Sequence, residues 1–220
     1  MKRRNQLLFF ALILGLSGCS SQLSYESGVL SQEETTNHRY DFLALSVDVP
    51  SDWYQVPKAM SEELNDLGRH MLSGDDAMFS AALEASAKRT FDVFAFTRFE
   101  PGAPVEFNGS VASAAEDISL APGVKTGCDY LFHTQKILQA SQMNITFPGE
   151  CEELSINQKP FGMLKSSISA MGTEVSQDYY ATVCKGMALT FVVTREAGEV
   201  SRAYSNIVNS IEFECPDDSI

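Results

Sequence analysis

The chain has 220 residues, 44% of them hydrophobic, and its 29 acidic residues outnumber 16 basic ones for a formal charge of −13. Such an acidic chain is repelled by phosphate backbones and anionic headgroups, which argues against nucleic acid as a partner and against a second, electrostatic membrane contact. Its length suits one domain with a single core.

The chain opens on basic Met1-Lys2-Arg3-Arg4, followed by an apolar run from Leu7 to Leu16 and then Leu16-Ser17-Gly18-Cys19. A positive end, a short greasy segment and small residues before a cysteine make a secretory signal that ends in a bacterial lipobox. At about ten residues the run is too short for the ~20 a membrane-spanning helix needs. Residues 1–18 are therefore expected to be a signal peptide, with Cys19 the lipid-bearing first residue of the mature chain. An ordinary secretory signal with an incidental cysteine is the competing reading. Ser20 and Ser21 follow, without the aspartate that goes with inner-membrane retention, so the expected address is the outer membrane facing the periplasm. One acyl chain holds weakly, at ~0.8 kcal/mol per buried methylene; a lipoprotein end with three palmitate-like chains holds permanently. Loss of Lys2, Arg3 and Arg4 leaves 13 basic against 29 acidic residues, a mature charge of −16.

Residues 19–38, rich in Ser, Gln, Glu and Thr, read as a flexible tether. A domain is expected over 39–215, with a short tail at 216–220. Leu43, Leu45, Val47 and Val49 alternate with smaller or polar residues as in a half-buried strand, broken at Pro50-Ser51-Asp52-Trp53. Met60, Leu64, Leu67 and Met71 predict a helix that begins near Pro57 and stops near Gly74. A shorter helical piece covers about 77–85. Phe91–Phe96 reads as a central strand covered on both faces, and Phe107 to about Ala114 as the next. Residues ~124–139, with Val124, Cys128, Leu131 and Leu138, predict a helix.

Strands are then predicted around 144–147, 152–156, 163–170, 178–184 and 187–194, the last two joined by a Lys185-Gly186 hairpin turn. Val200, Ala203, Tyr204, Ile207, Val208 and Ile211 form one apolar helical stripe. Hairpin-linked strands with a few helices packed on them define an α+β domain around an antiparallel sheet.

The opening strand and turn, Ser46-Val47-Asp48-Val49-Pro50-Ser51-Asp52-Trp53, is one of two pieces with a known counterpart. The other is the close of the domain: the Tyr179-Tyr180 strand, the Gly186 turn, the Phe191 strand and a last helix with Ile207 and Ile211. This layout, over about residues 40–215, resembles the PsbP-like fold, which includes bacterial DcrB-like lipoproteins. The resemblance implies a non-catalytic accessory or binding role and assigns no functional residue.

Besides Cys19, four cysteines remain: Cys128, Cys151, Cys184 and Cys215. An even number in an exported chain suggests disulfides, with three possible connectivities, and free buried thiols as the alternative. Gaps of 23, 33 and 31 residues lack the close pair of a structural zinc site. The predicted helix at ~125–139 rises about 22 Å, and the segment after it can run back about 30 Å, which returns Cys151 to the level of Cys128. The strand at 187–194 and the last helix likewise bring Cys215 back to Cys184. The expected pairs are Cys128–Cys151 and Cys184–Cys215, a departure from the PsbP-like pattern.

No catalytic residue, metal ligand or cofactor is predicted. His38 lies in or beside the tether, and His70 and His133 lack a second ligand at i+4. Cys128 and His133 point about 140° apart on a helix, a poor nucleophile–base pair. Asp75-Asp76 and Glu152-Glu153 diverge as adjacent residues, and read as solvated faces or helix-start charges. Asn108-Gly109-Ser110 and Asn144-Ile145-Thr146 match glycosylation sequons by chance in a bacterial chain. The expected role is a lipid-anchored envelope protein that binds or supports another envelope protein, held to the membrane through Cys19. An enzyme built from dispersed acids and a purely structural lipoprotein are the alternatives. Carboxylates converging in a pocket would favour the enzyme, and an apolar surface would favour binding.

Overall fold

The structure, a computed structural model, describes residues 34–170, 173–199 and 201–215. The leader, Cys19, most of the expected tether and the 216–220 tail lie outside the described residues.

Strands β1 (Thr35–Tyr40) and β2 (Leu45–Pro50) form a separate antiparallel ribbon. The main sheet follows: β3 (Tyr54–Gln55), helices α1 (Lys58–Ser73) and α2 (Ala77–Ala87), β4 (Thr90–Thr97), β5 (Ser110–Asp117), α3 (Gly127–Ala140), β6 (Ile145–Thr146), β7 (Glu152–Ile156), β8 (Lys159–Ala170), β9 (Thr173–Cys184), β10 (Met187–Glu196) and α4 (Arg202–Asn209). The eight strands run in the order β3-β4-β5-β10-β9-β8-β6, with β7 on the far part of β8. Lys185 and Gly186 both have positive φ, 48° and 73°, as the two-residue β9–β10 turn requires.

Alternation gives the sheet two unlike faces. Phe94, Phe96, Val111, Phe191 and Val193 point to one side, where Leu45, Val47 and Val49 of β2 and Tyr204, Ile207 and Ile211 from the α4 region close the main core. Helix α4 is seated there because its stripe is buried: Ala203, Tyr204, Ile207 and Val208 all lie inside. The opposite face carries α1, α2 and α3. Helix α3 comes so close to β8 and β9 that a Cβ on Gly127 would meet the Ala181 carbonyl oxygen, and one on Gly162 would lie 2.6 Å from the Cys128 nitrogen. Leu131, Leu164 and Ala181 pack under it.

The structure pairs Cys128 with Cys151 and Cys184 with Cys215, at Cα–Cα separations of 5.6 and 5.7 Å. These are the pairs to which the out-and-back paths lead.

Several expectations are corrected. The tether does not extend to residue 38, because Thr35–Tyr40 form β1. Its mostly exposed residues are held by ladder bonds to β2 rather than by burial. Strand β2 is covered almost throughout instead of half-buried: Ser46 exchanges backbone hydrogen bonds with Glu212 on its second edge. Leu43 lies outside it, in a 3-10 turn with φ of 52°. Strand β4 is not central. On its outer edge only the two-residue β3 flanks it, and Phe91 is 42% exposed. The strand expected from Phe107 begins only at Ser110. Val124 precedes α3 and packs with Ile118 and Ala188. The helix starts after Thr126, whose hydroxyl accepts from the Asp129 N–H while the Asp129 carboxylate accepts from the Thr126 N–H.

Candidate functional site

The sheet face beneath α1 is lined by small or slim side chains: Ala95 on β4, Ala112 on β5, and Val192 on β10. Helix α1 presents Leu64, Leu67, Gly68 and Met71 toward that face. Short side chains below and a glycine above cannot fill the gap between helix and sheet. A half-open cavity of about 380 Å³ remains, closed at its far end by Leu138, Ile145 and Ile168.

The packing of α1 shows the same gap. Its apolar stripe is the predicted one, yet Ser73 is its one buried residue, whereas α4 buries four. Gly68 has nothing within 4 Å of where a Cβ would stand. A glycine inside a helix costs roughly 0.5–1 kcal/mol relative to alanine, and at Gly68 no steric conflict explains it.

Among the described residues no charged side chain lines the cavity. Several of its polar groups are engaged by the protein. Tyr179 donates to Gln177 Oε1, and Gln177 Nε2 donates to Thr194 Oγ1 at 3.1 Å. Thr97 donates to the Phe99 carbonyl. At the rim, Ser61 and Asn65 both donate to the Asp92 carboxylate. Burial pushes the Tyr179 hydroxyl up to about 12, so it stays protonated and a donor. The chamber therefore offers mainly apolar contact. It is suited to holding an uncharged group rather than to general acid–base chemistry.

The residues singled out in the sequence lie elsewhere. Cys128, Cys151, Cys184 and Cys215 brace the fold and do not line the cavity; Cys19 lies outside the described residues. His38 stands on β1 with its ring 4.7 Å from that of Phe96. Burial lowers its pKa, partly offset by the Asp48 charge. His70 Nδ1 lies 2.8 Å from the Asp66 carbonyl oxygen, and His133 packs edge-on to Phe132. Asp76 caps α2 by accepting from the Phe79 N–H, and Glu152 and Glu153 are exposed on β7. Among the described residues, no three His, Cys, Asp or Glu side chains converge as metal ligands. The cavity was missed in the sequence. Its available signals were a glycine inside the α1 stripe and the alanines at 95 and 112.

No family model matches the chain, and no curated protein matches it. Among solved structures it is similar to the solution structure of cyanobacterial PsbP (CyanoP) from Synechocystis sp. PCC 6803, with 11% identity, 86% of this chain and 98% of that one covered, and a TM-score of 0.52. It is more loosely similar to LpqN, involved in cell envelope biogenesis of Mycobacterium tuberculosis, at 12% identity over 82% of this chain and 91% of that one, TM-score 0.44. A third is the type VI secretion immunity protein TplEi of Pseudomonas aeruginosa, at 8% identity over 83% and 98%, TM-score 0.41. The fold is PsbP-like, an α+β domain built on an antiparallel sheet. At these identities the likeness speaks to fold alone. Among the described residues no helix is long and apolar enough to cross a membrane.

Proposed function

We propose that this chain is a lipid-anchored protein of the bacterial envelope, tied through Cys19 to the outer membrane and facing the periplasm, whose PsbP-like domain binds another envelope component without catalysis. The lipobox and the two disulfides support an exported, oxidised setting. One observation carries the binding role: a cavity opening into the domain is lined largely by apolar side chains, among them Leu64, Leu67, Met71 and Val192.

The test is affinity capture of the full chain from intact envelopes, with mass spectrometry of the chain and of what it retains. A cleaved, acylated Cys19 supports the anchor, and an unmodified sulfur overturns it. A component held by the wild type and lost when Ala112→Phe fills the cavity supports the binding role. Equal retention by both overturns it.

A further inference from the structure

We propose that the cavity under α1 holds one extended hydrocarbon chain of an uncharged amphiphile. This rests on the binding role proposed above and specifies its ligand. The shape comes first. The lining crosses five neighbouring strands, from Ala95 and Ala112 on β4 and β5, over β10 and β9, to Ile168 on β8. Four inter-strand steps of about 4.8 Å make a path of about 19 Å. A cavity of about 380 Å³ along such a path has room for one extended polymethylene chain.

The chemistry agrees. Tyr179 donates to Gln177 and Gln177 to Thr194, and Ser61 and Asn65 are committed to Asp92. A ligand entering here meets mostly apolar side chains, so hydrocarbon loses little by lacking polar atoms. Among the described residues no basic side chain lines the opening, and the chain as a whole is acidic, so an anionic amphiphile is disfavoured there.

Gly68 borders the open space. Alanine there would favour the helix and meet nothing within 4 Å, whereas a longer side chain would reach into the cavity. Substitution to alanine should raise the melting temperature and leave room for a chain. Leucine should fill the space.

The test uses the full chain, extracted from envelopes and purified in dodecyl maltoside, with that uncharged single-chain detergent as the probe in native mass spectrometry. Wild type and Gly68→Ala should each retain one molecule per chain, and Gly68→Leu at least about tenfold less. Ala112→Leu narrows the cavity from the sheet side and should show the same loss, which keeps the test decisive if Gly68→Leu does not fold; near-ultraviolet circular dichroism reports folding. Decanol should displace the probe, with decanoate at pH 8 at least about tenfold weaker. The proposal is overturned if the wild type retains no probe, if a folded filled variant retains as much as the wild type, or if decanoate matches decanol. A wild type that retains no probe but still captures an envelope component in a cavity-dependent way would sink the single-chain ligand and leave the binding role standing. Loss of both would sink both.

Discussion

Asn65 of α1 donates from its amide to both carboxylate oxygens of Asp92 on β4, at 2.9 and 2.8 Å, and Ser61 adds a third bond at 2.9 Å. Asp92 reaches the helix because the β4–β5 ladder shifts register between Asp92 and Phe94. Without that bulge, Asp92 would share the Phe94 side of the sheet. The carboxylate thus anchors a helix whose apolar face is poorly packed. Asp92→Ala should weaken α1 docking by about 1–3 kcal/mol. Hydrogen exchange checks it: amides of residues 58–73 should exchange faster, with those of α4 unchanged.

The α3 contact depends on two absent Cβ atoms. Gly127→Ala would drive a methyl into the Ala181 carbonyl, where backbone rather than a flexible side chain must yield. The expected loss is about 1–3 kcal/mol, read by urea denaturation. Gly123→Ala is the control, because nothing lies within 4 Å of its Cβ position.

The disulfides close loops spanning 23 and 31 residues. In the chain-entropy account each restricts the unfolded chain by about 3–4 kcal/mol. Replacing Cys184 and Cys215 together by Ser should therefore lower unfolding stability by about that much, and the Cys128–Cys151 pair by a similar amount. Equilibrium unfolding of each double variant under oxidising conditions measures it.

His38 supplies a pH dependence with a definite sign. Burial against Phe96 lowers its pKa in the folded chain, with Asp48 opposing. Over the window between that lowered value and about 6.5, the unfolded chain binds the extra proton. Stability should thus fall as pH drops through and below about 6.5, and His38→Gln should flatten the response over that window. Thermal unfolding at stepped pH, wild type against variant, gives the comparison.

The sequence by itself determined what local patterning dictates. The α4 stripe, the Lys185-Gly186 turn, the α1 stripe and the α+β class follow from periodicity and turn chemistry, which act over a few residues. The disulfide partners followed too, because helix and strand rises bound where a returning chain can end. What the tertiary structure decided is which covered surface meets what. Thr35–Tyr40 look like tether until β2 supplies ladder partners, and Phe91–Phe96 look central until β3 proves to be two residues long. The cavity belongs to this second kind. Leu64, Leu67 and Met71 read as an ordinary core stripe, and only the facing residues, Ala95 and Ala112 from strands far along the chain, show that the helix spans a gap instead of filling it. Periodicity says which side of an element is apolar; the volume opposite that side is a property of pairs of elements, and no single segment encodes it.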